Sequence, residues 1–413
     1  MPAASERPSM SPPVVVLLLT LLLGIQPITT DLYLPALPTL QRDLGASIGA
    51  AQLTLSALII CFGLAQLVCG PLADRYGRRP VLLAGMALYT VASLFGAFAP
   101  SIDALIAWRA LQGAAMAAAV TCGRSIVRDL FQPHEGARVM SKALSGLGLI
   151  AMASPMLGGL LVHWLNWHAV LLAVALFGAG TLGFIAWRYE ETVPAPNPQA
   201  TRIGPLLANW AAVLRNPTFR AWTLLSGFAY GGLFFLLAGS SFVFIDVLGS
   251  SRVGYGFIML TNSAAYVGGT FLCRRLLARH GLRGAVRIGA FFTLAGGLSM
   301  AGLSLAGVHT VWAIVLPQWI YAIGHGIHQP CGQAGAIGPF PEKAGTAASL
   351  SGCYMMLVAF AVGQFLGLTL DGTVYPMTLG IGVFAVLLAA VAWTLVQRHG
   401  DPYAPLAAAA RPA

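Results

Sequence analysis

Apolar runs of about 20 residues recur along the whole chain and are separated by short polar segments. A helix needs about 20 mostly apolar residues to cross the hydrocarbon core of a bilayer. The pattern therefore predicts an all-α integral membrane protein with twelve spans. They lie at 14–38, 50–71, 80–98, 102–127, 139–162 and 167–187 in the first half, and at 219–244, 253–278, 285–306, 311–334, 344–369 and 376–396 in the second.

The longest polar stretch runs from Arg188 to Thr218, falls at the midpoint of the chain and is rich in proline. Such a composition indicates a linker between two halves. The predicted organisation is an N-terminal six-helix bundle at 1–187, a cytoplasmic linker at 188–218 with one amphipathic turn at 206–214, and a C-terminal six-helix bundle at 219–413 with a short cytoplasmic tail.

Basic residues are divided unequally between the two sets of alternating loops. The set that includes both termini and the linker contains Arg75, Arg78, Arg79, Arg128, Arg138, Lys142, Arg202, Arg215, Arg274, Arg275, Arg279, Arg283, Arg287, Lys343 and Arg398. The opposite set contains little beyond Arg42 and Arg252. Because loops rich in Lys and Arg stay in the cytoplasm, both termini and the linker are predicted to be cytoplasmic. The net charge of +10 reports this orientation, and we expect no nucleic-acid partner.

The composition supports a lipid environment, since 57% of the residues are hydrophobic and only 9% are charged. Soluble domains carry about 25% charged residues, and the same apolar excess excludes disorder. The six cysteines lie in or beside apolar stretches without CxxC spacing, so neither a disulfide framework nor a metal site is expected. No cleavage pattern follows the apolar run Val14–Leu23, and we expect it to be retained as the first span.

Two ionisable residues lie well inside predicted spans, Asp31 in span 1 and Arg109 in span 4. A charge at this depth costs roughly 3 kcal/mol on insertion scales and normally faces a cavity or a partner. Both residues lie about 10–12 Å below the same surface at 1.5 Å per residue, so they can meet if spans 1 and 4 are neighbours. The functional interpretation makes Asp31 a proton carrier that Arg109 tunes. The alternative is a static ion pair that fixes helix packing.

The loop after span 2 combines small and charged residues in a distinctive order. The residues concerned are Gly70, Asp74, Arg75, Gly77, Arg78 and Arg79. Gly70 allows close helix contact, and Asp74 can accept hydrogen bonds from backbone amides or from an arginine. We interpret the segment as a gating motif; the alternative is a basic loop that only sets topology. A weaker copy at 277–283, after span 8, indicates an internal repeat of the kind found in two-bundle transporters.

Span 5 contains an alignment of small residues with one proline, Pro155, followed by Gly158 and Gly159. Small residues let helix backbones approach each other, and proline removes one backbone hydrogen bond and bends the helix. The functional interpretation is a pliable helix at the interface between the halves. The alternative is ordinary small-residue packing.

Several polar and aromatic residues inside the spans are candidates for the wall of a substrate cavity. They are Tyr33, Gln112, Tyr230, Phe234, His325, His328 and Gln364. The two histidines are three apart and share a helix face, so they can line a pathway or relay protons. A pair of hydrogen-bonded packing histidines is the alternative, and zinc is not expected without further ligands. Each aromatic residue can equally be ordinary packing.

Together these motifs resemble the major facilitator superfamily, and within it the twelve-span drug:proton antiporters of the Bcr/CflA type. The segments that carry the resemblance are Thr30–Pro38, Gly70–Arg79, Trp108–Gly113, Ser154–Gly159 and Ala344–Leu350. The resemblance implies two six-helix bundles related by a pseudo-two-fold axis, with a central cavity. It also implies a monomer without a cofactor that exports small-molecule drugs or toxic metabolites across the inner membrane by alternating access, driven by protons, with Arg109 taking part in proton coupling.

One position departs from the resemblance, and three other functions compete with export. Leu23 stands where some multidrug members carry a second acidic residue, which argues against broad cation recognition. An importer that symports a metabolite with protons is the main alternative, and the span 5 motif disfavours it. A membrane enzyme would need a buried catalytic cluster, and a sensor a sizeable cytoplasmic domain; neither is evident in the sequence.

Overall fold

The computed structural model describes residues 10–131, 133–193 and 196–401, and this part of the chain is helical without strands. Its helices are α1 Pro12–Thr30, α2 Leu37–Asp43, α3 Ile48–Tyr76, α4 Arg78–Ala97, α5 Ile102–Leu130, α6 Pro133–Trp164, α7 Trp167–Arg188, α8 Ile203–Arg215, α9 Pro217–Ser241, α10 Arg252–Leu305, α11 Val311–Ile337, α12 Ala344–Thr369, α13 Tyr375–Trp393 and α14 Leu395–His399. None of the six cysteines forms a disulfide bond.

The prediction of twelve spans is confirmed once two helices are considered individually. Ten helical segments in the described residues are long and apolar enough to cross a bilayer. One of them, α10, has 54 residues and turns at Gly281, where a φ of 64° interrupts the helix and separates two spans. A further helix, α11, has 27 residues and is less apolar because it contains several polar side chains, among them Gln318 and His325.

The first span is not the continuous helix that the apolar run predicts. α1 ends at Thr30, and a short turn at Leu34–Ala36 separates it from α2. Pro35 explains the break, because it has no N–H to donate to the carbonyl oxygen four residues earlier, which belongs to Asp31. Asp31 therefore lies at an interruption of the span and not in a regular helix.

The helices form two groups that correspond to the two halves of the chain. In the N-terminal half α3 and α4 pack on α5, and α1 packs on α6; in the C-terminal half α10 packs on α11 and α13, and α9 packs on α12. Glycines permit some of the closest approaches. At Gly113 in α5, for example, an added Cβ would overlap the carbonyl oxygen of Leu58 in α3. The halves meet along α3 with α12 and α6 with α10.

Candidate substrate and proton site

Asp31 lies where the two halves face each other. The residue is partly exposed, and its carboxylate accepts a hydrogen bond of 2.7 Å from the Thr30 hydroxyl. Tyr230 in α9 and Tyr255 in α10, both of the C-terminal half, lie within electrostatic range of this carboxylate. Asp31 is therefore close to the opposite half.

Arg109 is enclosed inside the N-terminal half, with 1% of its surface exposed. Its guanidinium donates to Gln112 Oε1 at 2.6 Å and to the carbonyl oxygen of Thr29 at 3.1 Å. It also lies over the ring of Tyr33, 4.1 Å from the centroid, in a cation–π contact. Gln112 in turn donates to the Ser93 hydroxyl at 2.6 Å. Arg109 is therefore the centre of a polar network that ties α5 to span 1.

The expected contact between Asp31 and Arg109 is absent. The ion pairs among the described residues are Arg42 with Asp246 and Arg78 with both Asp74 and Asp129. Asp31 and Arg109 are predicted to lie at similar depths in the membrane, but their side chains do not meet because Asp31 points away from Arg109. Thr29 and Tyr33 are four residues apart and share the face that contacts Arg109, whereas Asp31, two residues from each, points the other way. The static ion pair is likewise not formed in this structure.

A cavity of about 70 Å³ lies between the halves and has walls from both. Its lining includes Gln26 and Arg124 from the N-terminal half and Tyr230, Gln329 and Ser351 from the C-terminal half. Gln26 donates to the hydroxyl of Tyr230 at 3.4 Å, and this pair lies at the end of the cavity nearest Asp31. Tyr230 thus lies near Asp31 and also lines the cavity.

The other predicted cavity residues occupy different places. Phe234 is buried and stacks on Tyr230 with ring centroids 6.3 Å apart. Tyr33 and Gln112 belong to the Arg109 network described above. Gln364, in α12, does not line this cavity.

His325 and His328 lie inside the C-terminal half, away from the cavity. His325 is 4% exposed and its ring is 5.6 Å from that of Tyr266, while His328 is fully buried with its Nε2 3.5 Å from the Thr293 hydroxyl. The described residues contain no group of three or more His, Cys, Asp or Glu side chains suited to a metal ion. The placement matches the alternative of packing histidines better than that of cavity residues.

The halves are in close contact at one face of the molecule, which we call the far face. Gln52 Nε2 donates to the carbonyl oxygen of Ala238 at 2.5 Å, and Arg42 pairs with Asp246 at 3.5 Å. An added Cβ at Gly49 would lie 2.9 Å from the carbonyl oxygen of Gly367. These contacts hold the two halves together at the far face.

At the opposite face, which we call the linker face because 188–193 and 196–216 lie there, the cavity is open. Its lining includes Arg124, six residues before the end of α5, Ile337, the last residue of α11, and Ala348 near the start of α12. All three helix ends lie at the linker face. The structure is therefore open towards the linker and closed at the far face.

The span 5 motif lies in α6, where that helix touches two other elements. An added Cβ at Gly158 would overlap the carbonyl oxygen of Leu32, next to Asp31, and at Gly159 it would lie 2.6 Å from the carbonyl oxygen of Arg252. At Gly256 in α10 it would lie 3.2 Å from the carbonyl oxygen of Pro155. α6 thus contacts both the break in span 1 and the start of α10 in the other half.

The loop after span 2 forms a charged cluster at the linker face. Arg78 donates to Asp74 at 2.6 Å and to Asp129 at 3.1 Å. The carboxylate of Glu191 accepts from the backbone amides of Arg78 and Arg79, each at 2.9 Å, and so caps the first turn of α4.

Other residues of this loop bind the linker too. Gly77 has a φ of 100°, and a side chain there would overlap the carboxylate of Glu191. Arg79 donates to the carbonyl oxygen of Tyr189 at 2.8 Å, and Arg75 donates to the Thr201 hydroxyl at 2.5 Å. Gly70 makes only an ordinary contact with Thr121.

Sequence reasoning did not assign Asp129 or Glu191 to this cluster. Glu191 was visible only as one of two adjacent acidic residues in the linker, and the distance of 113 positions to Arg78 hid the contact. One signal could have indicated these contacts. The loop after span 2 is basic, and Asp129 and Glu191 are acidic residues of the same half on the same side of the membrane.

The family model of the Major Facilitator Superfamily matches residues 19–364, and the chain belongs to this superfamily. Multidrug resistance protein D of Escherichia coli (strain K12) is 29% identical, covering 94% of this chain and 97% of the relative. The chloramphenicol resistance protein of Pseudomonas aeruginosa is 28% identical, covering 87% and 84%. The bicyclomycin resistance protein homolog of Haemophilus influenzae is 24% identical, covering 93% and 96%.

These comparisons confirm the predicted fold and the resemblance to the Bcr/CflA type. The crystal structure of the D-xylose-proton symporter superposes with a TM-score of 0.74 at 14% identity, covering 92% of this chain and 97% of that one, and so shares the fold. The chain is a multi-pass membrane protein of the transporter class and not an enzyme.

Proposed function

We propose that this protein exports small-molecule drugs or toxic metabolites across a bacterial inner membrane in exchange for protons. The observation that carries the proposal is the position of Asp31, a partly exposed acidic residue at the interface of the halves, within electrostatic range of a tyrosine that lines the central cavity. Relatives named for multidrug, chloramphenicol and bicyclomycin resistance support the direction of transport.

The linker face is the cytoplasmic face in this proposal, and both termini are cytoplasmic, because the basic loops lie there. The structure then corresponds to the state that takes substrate from the cytoplasm. The rocking of the two halves would close the cavity at the linker face and open it at the far face.

Asp31 carries the proton in this cycle. In the outward-open state it takes up a proton from outside, and in the inward-open state it releases that proton towards the cytoplasm. A charged Asp31 carboxylate is unfavourable in a closed, poorly hydrated interface. Protonation of Asp31 therefore favours the states in which the two halves close around this residue. A membrane potential contributes about 2.3 kcal/mol per charge per 100 mV, which corresponds to roughly fiftyfold accumulation of a neutral substrate.

α6 and Arg109 connect this carboxylate to the rest of the protein. Gly158 touches the carbonyl oxygen next to Asp31, and Gly159 touches the start of α10, so a displacement at the break in span 1 reaches the interface of the halves through one helix. Arg109 acts as a positioning residue that holds the carbonyl oxygen of Thr29, two residues before Asp31.

Expression in a bacterium that lacks its own drug exporters tests the proposal. Resistance to at least one compound in an antibiotic panel, together with lower accumulation that a proton uncoupler reverses, is the expected result. Everted vesicles separate export from the alternative of import, because an exporter concentrates the compound inside them and acid in the lumen drives it. Uptake into right-side-out vesicles driven by an inward proton gradient would instead support the symporter.

A further inference from the structure

The central cavity contains one cation and no acidic residue among the side chains that line it. Its polar groups are Arg124, Tyr230, Ser351 and four glutamines, of which Gln329 and Gln333 come from α11. Phe62, Met355 and Met356 supply an apolar wall. Asp31 is absent from the lining. A solute in this space meets one formal charge, and that charge is positive.

No described residue forms an ion pair or a hydrogen bond with the guanidinium of Arg124, and the nearby Asp129 of the same helix is bound to Arg78. The side chain is exposed and lines the cavity. A cation that lines a cavity without a counter-charge attracts an anionic ligand, and a planar guanidinium matches the geometry of a carboxylate.

Two further polar groups of the cavity wall are unpaired, and both belong to the C-terminal half. The hydroxyl of Ser351, a residue only 4% exposed, and the amide oxygen of Gln329 have no hydrogen-bond partner in the described protein. A hydroxyl donates one hydrogen bond, and a carboxamide can present either its oxygen or its NH2 group. Arg124 lies across the cavity from them in the N-terminal half, so one ligand can satisfy groups from both halves.

We propose that the cavity selects small organic anions in which a carboxylate is attached to an aromatic or aliphatic body. The proposal rests on the function proposed above and specifies its substrate class. Arg124 binds the carboxylate through its planar pair of N–H groups, and Ser351 and the Gln329 amide donate to the remaining lone pairs. The body of the solute packs on Phe62, Met355 and Met356. A cation finds no acidic partner and is repelled, and an uncharged solute leaves Arg124 unpaired.

Binding measurements on the purified full-length protein in detergent test this selection without any proton gradient. The probes are nalidixate and salicylate as carboxylates, chloramphenicol as an uncharged compound and ethidium as a cation. We expect the carboxylates to bind at least about tenfold more tightly than ethidium, and added salt to weaken their binding.

Substitutions on α5 provide the decisive comparison. Arg124→Gln should weaken carboxylate binding by about tenfold or more and leave chloramphenicol within about twofold, because a hydrogen bond to a charged group is lost only for the anion. Arg124→Lys should recover part of the affinity and shows that the site remains folded. Arg128→Gln removes the same charge one turn further along α5, outside the cavity lining, and should change nothing.

Carboxylate binding that is absent, or that Arg124→Gln leaves unchanged, would overturn the proposal, as would tighter binding of ethidium. Such a result leaves proton-driven export intact if the wild-type protein still exchanges chloramphenicol for protons in vesicles. Conversely, anion-selective binding without any proton exchange would count against the proposed function alone.

Discussion

Arg109 donates a hydrogen bond of 3.1 Å to the carbonyl oxygen of Thr29, and so reaches the neighbourhood of Asp31 through the backbone of span 1 rather than through its side chain. The arginine and the carboxylate occupy opposite faces of the same helix end. A change at Arg109 therefore alters the position of the break in span 1, while the hydrogen-bonding partners of the Asp31 side chain stay in place.

Arg109→Lys should reduce transport by about tenfold or more, although the charge is kept. The planar guanidinium of Arg109 binds Gln112 and the Thr29 carbonyl oxygen at once and lies over the ring of Tyr33. A lysine ammonium group lacks this planar set of N–H donors and cannot make all three contacts. Transport by the variant is measured in everted vesicles at equal protein level. The matched control is Arg128→Lys, at an exposed site on the same helix. Full activity of Arg109→Lys would show that only charge matters at this position.

Asp31→Asn should abolish proton-driven efflux while the protein still inserts, because the amide keeps the shape of the side chain but carries no exchangeable proton at working pH. The readout is substrate-dependent release of protons from acidified everted vesicles, followed with a pH-sensitive dye. Asp103→Asn, an exposed carboxylate in the first turn of α5, should retain activity. Unchanged proton release by the Asp31 variant would remove this residue from the mechanism.

Gly256→Val should stop transport by preventing closure of the far face. An added Cβ at Gly256 would lie 2.8 Å from the Cα of Met156, so a valine there forces α6 and α10 apart. Gly268→Val is the matched control on the same helix, since a Cβ at Gly268 meets nothing within 4 Å. Both variants are compared for membrane level and drug efflux. Equal efflux by the two would mean that this contact between the halves is not needed.

Glu191→Ala should destabilise the linker face by about 1–2 kcal/mol, because the backbone amides of Arg78 and Arg79 lose their shared acceptor. A lower midpoint of thermal unfolding and faster tryptic cleavage after the exposed Arg202 are the expected results. Glu190→Ala removes the adjacent, exposed carboxylate and serves as the control. If both variants unfold and are cleaved alike, the cap on α4 contributes nothing.

Much of the fold was predictable because lipid imposes a simple length rule on apolar segments. The rule found the spans, including α11, whose polar residues lower its hydropathy below that of its neighbours. It could not show the break at Asp31, although Pro35 was a signal for it. Nor did it show that Thr29 and Tyr33 face Arg109 while Asp31 turns away, which follows from the angular positions around the helix.

The site was less accessible to prediction, since it depends on which helix faces meet. Arg124 lies near one end of span 4, where an arginine is not unusual in the sequence, and its unpaired state is a property of the folded chain. His325 and His328 share a face as predicted, but that face is turned into the C-terminal half. Residues that join distant segments of the chain, such as Glu191, show no periodic pattern in the sequence, so their contacts cannot be predicted from it.

The attachments of the linker restrict where the protein can bend. Its first part is bound to the N-terminal half, through Glu191 with the amides of α4, the Asn197 amide with the Asp74 carbonyl oxygen at 2.9 Å, and Thr201 with Arg75. The helix that follows, α8, packs on α9 and α12 of the C-terminal half. The backbone around Arg202 joins these two attached parts, so we expect this point to act as a short pivot when the halves turn.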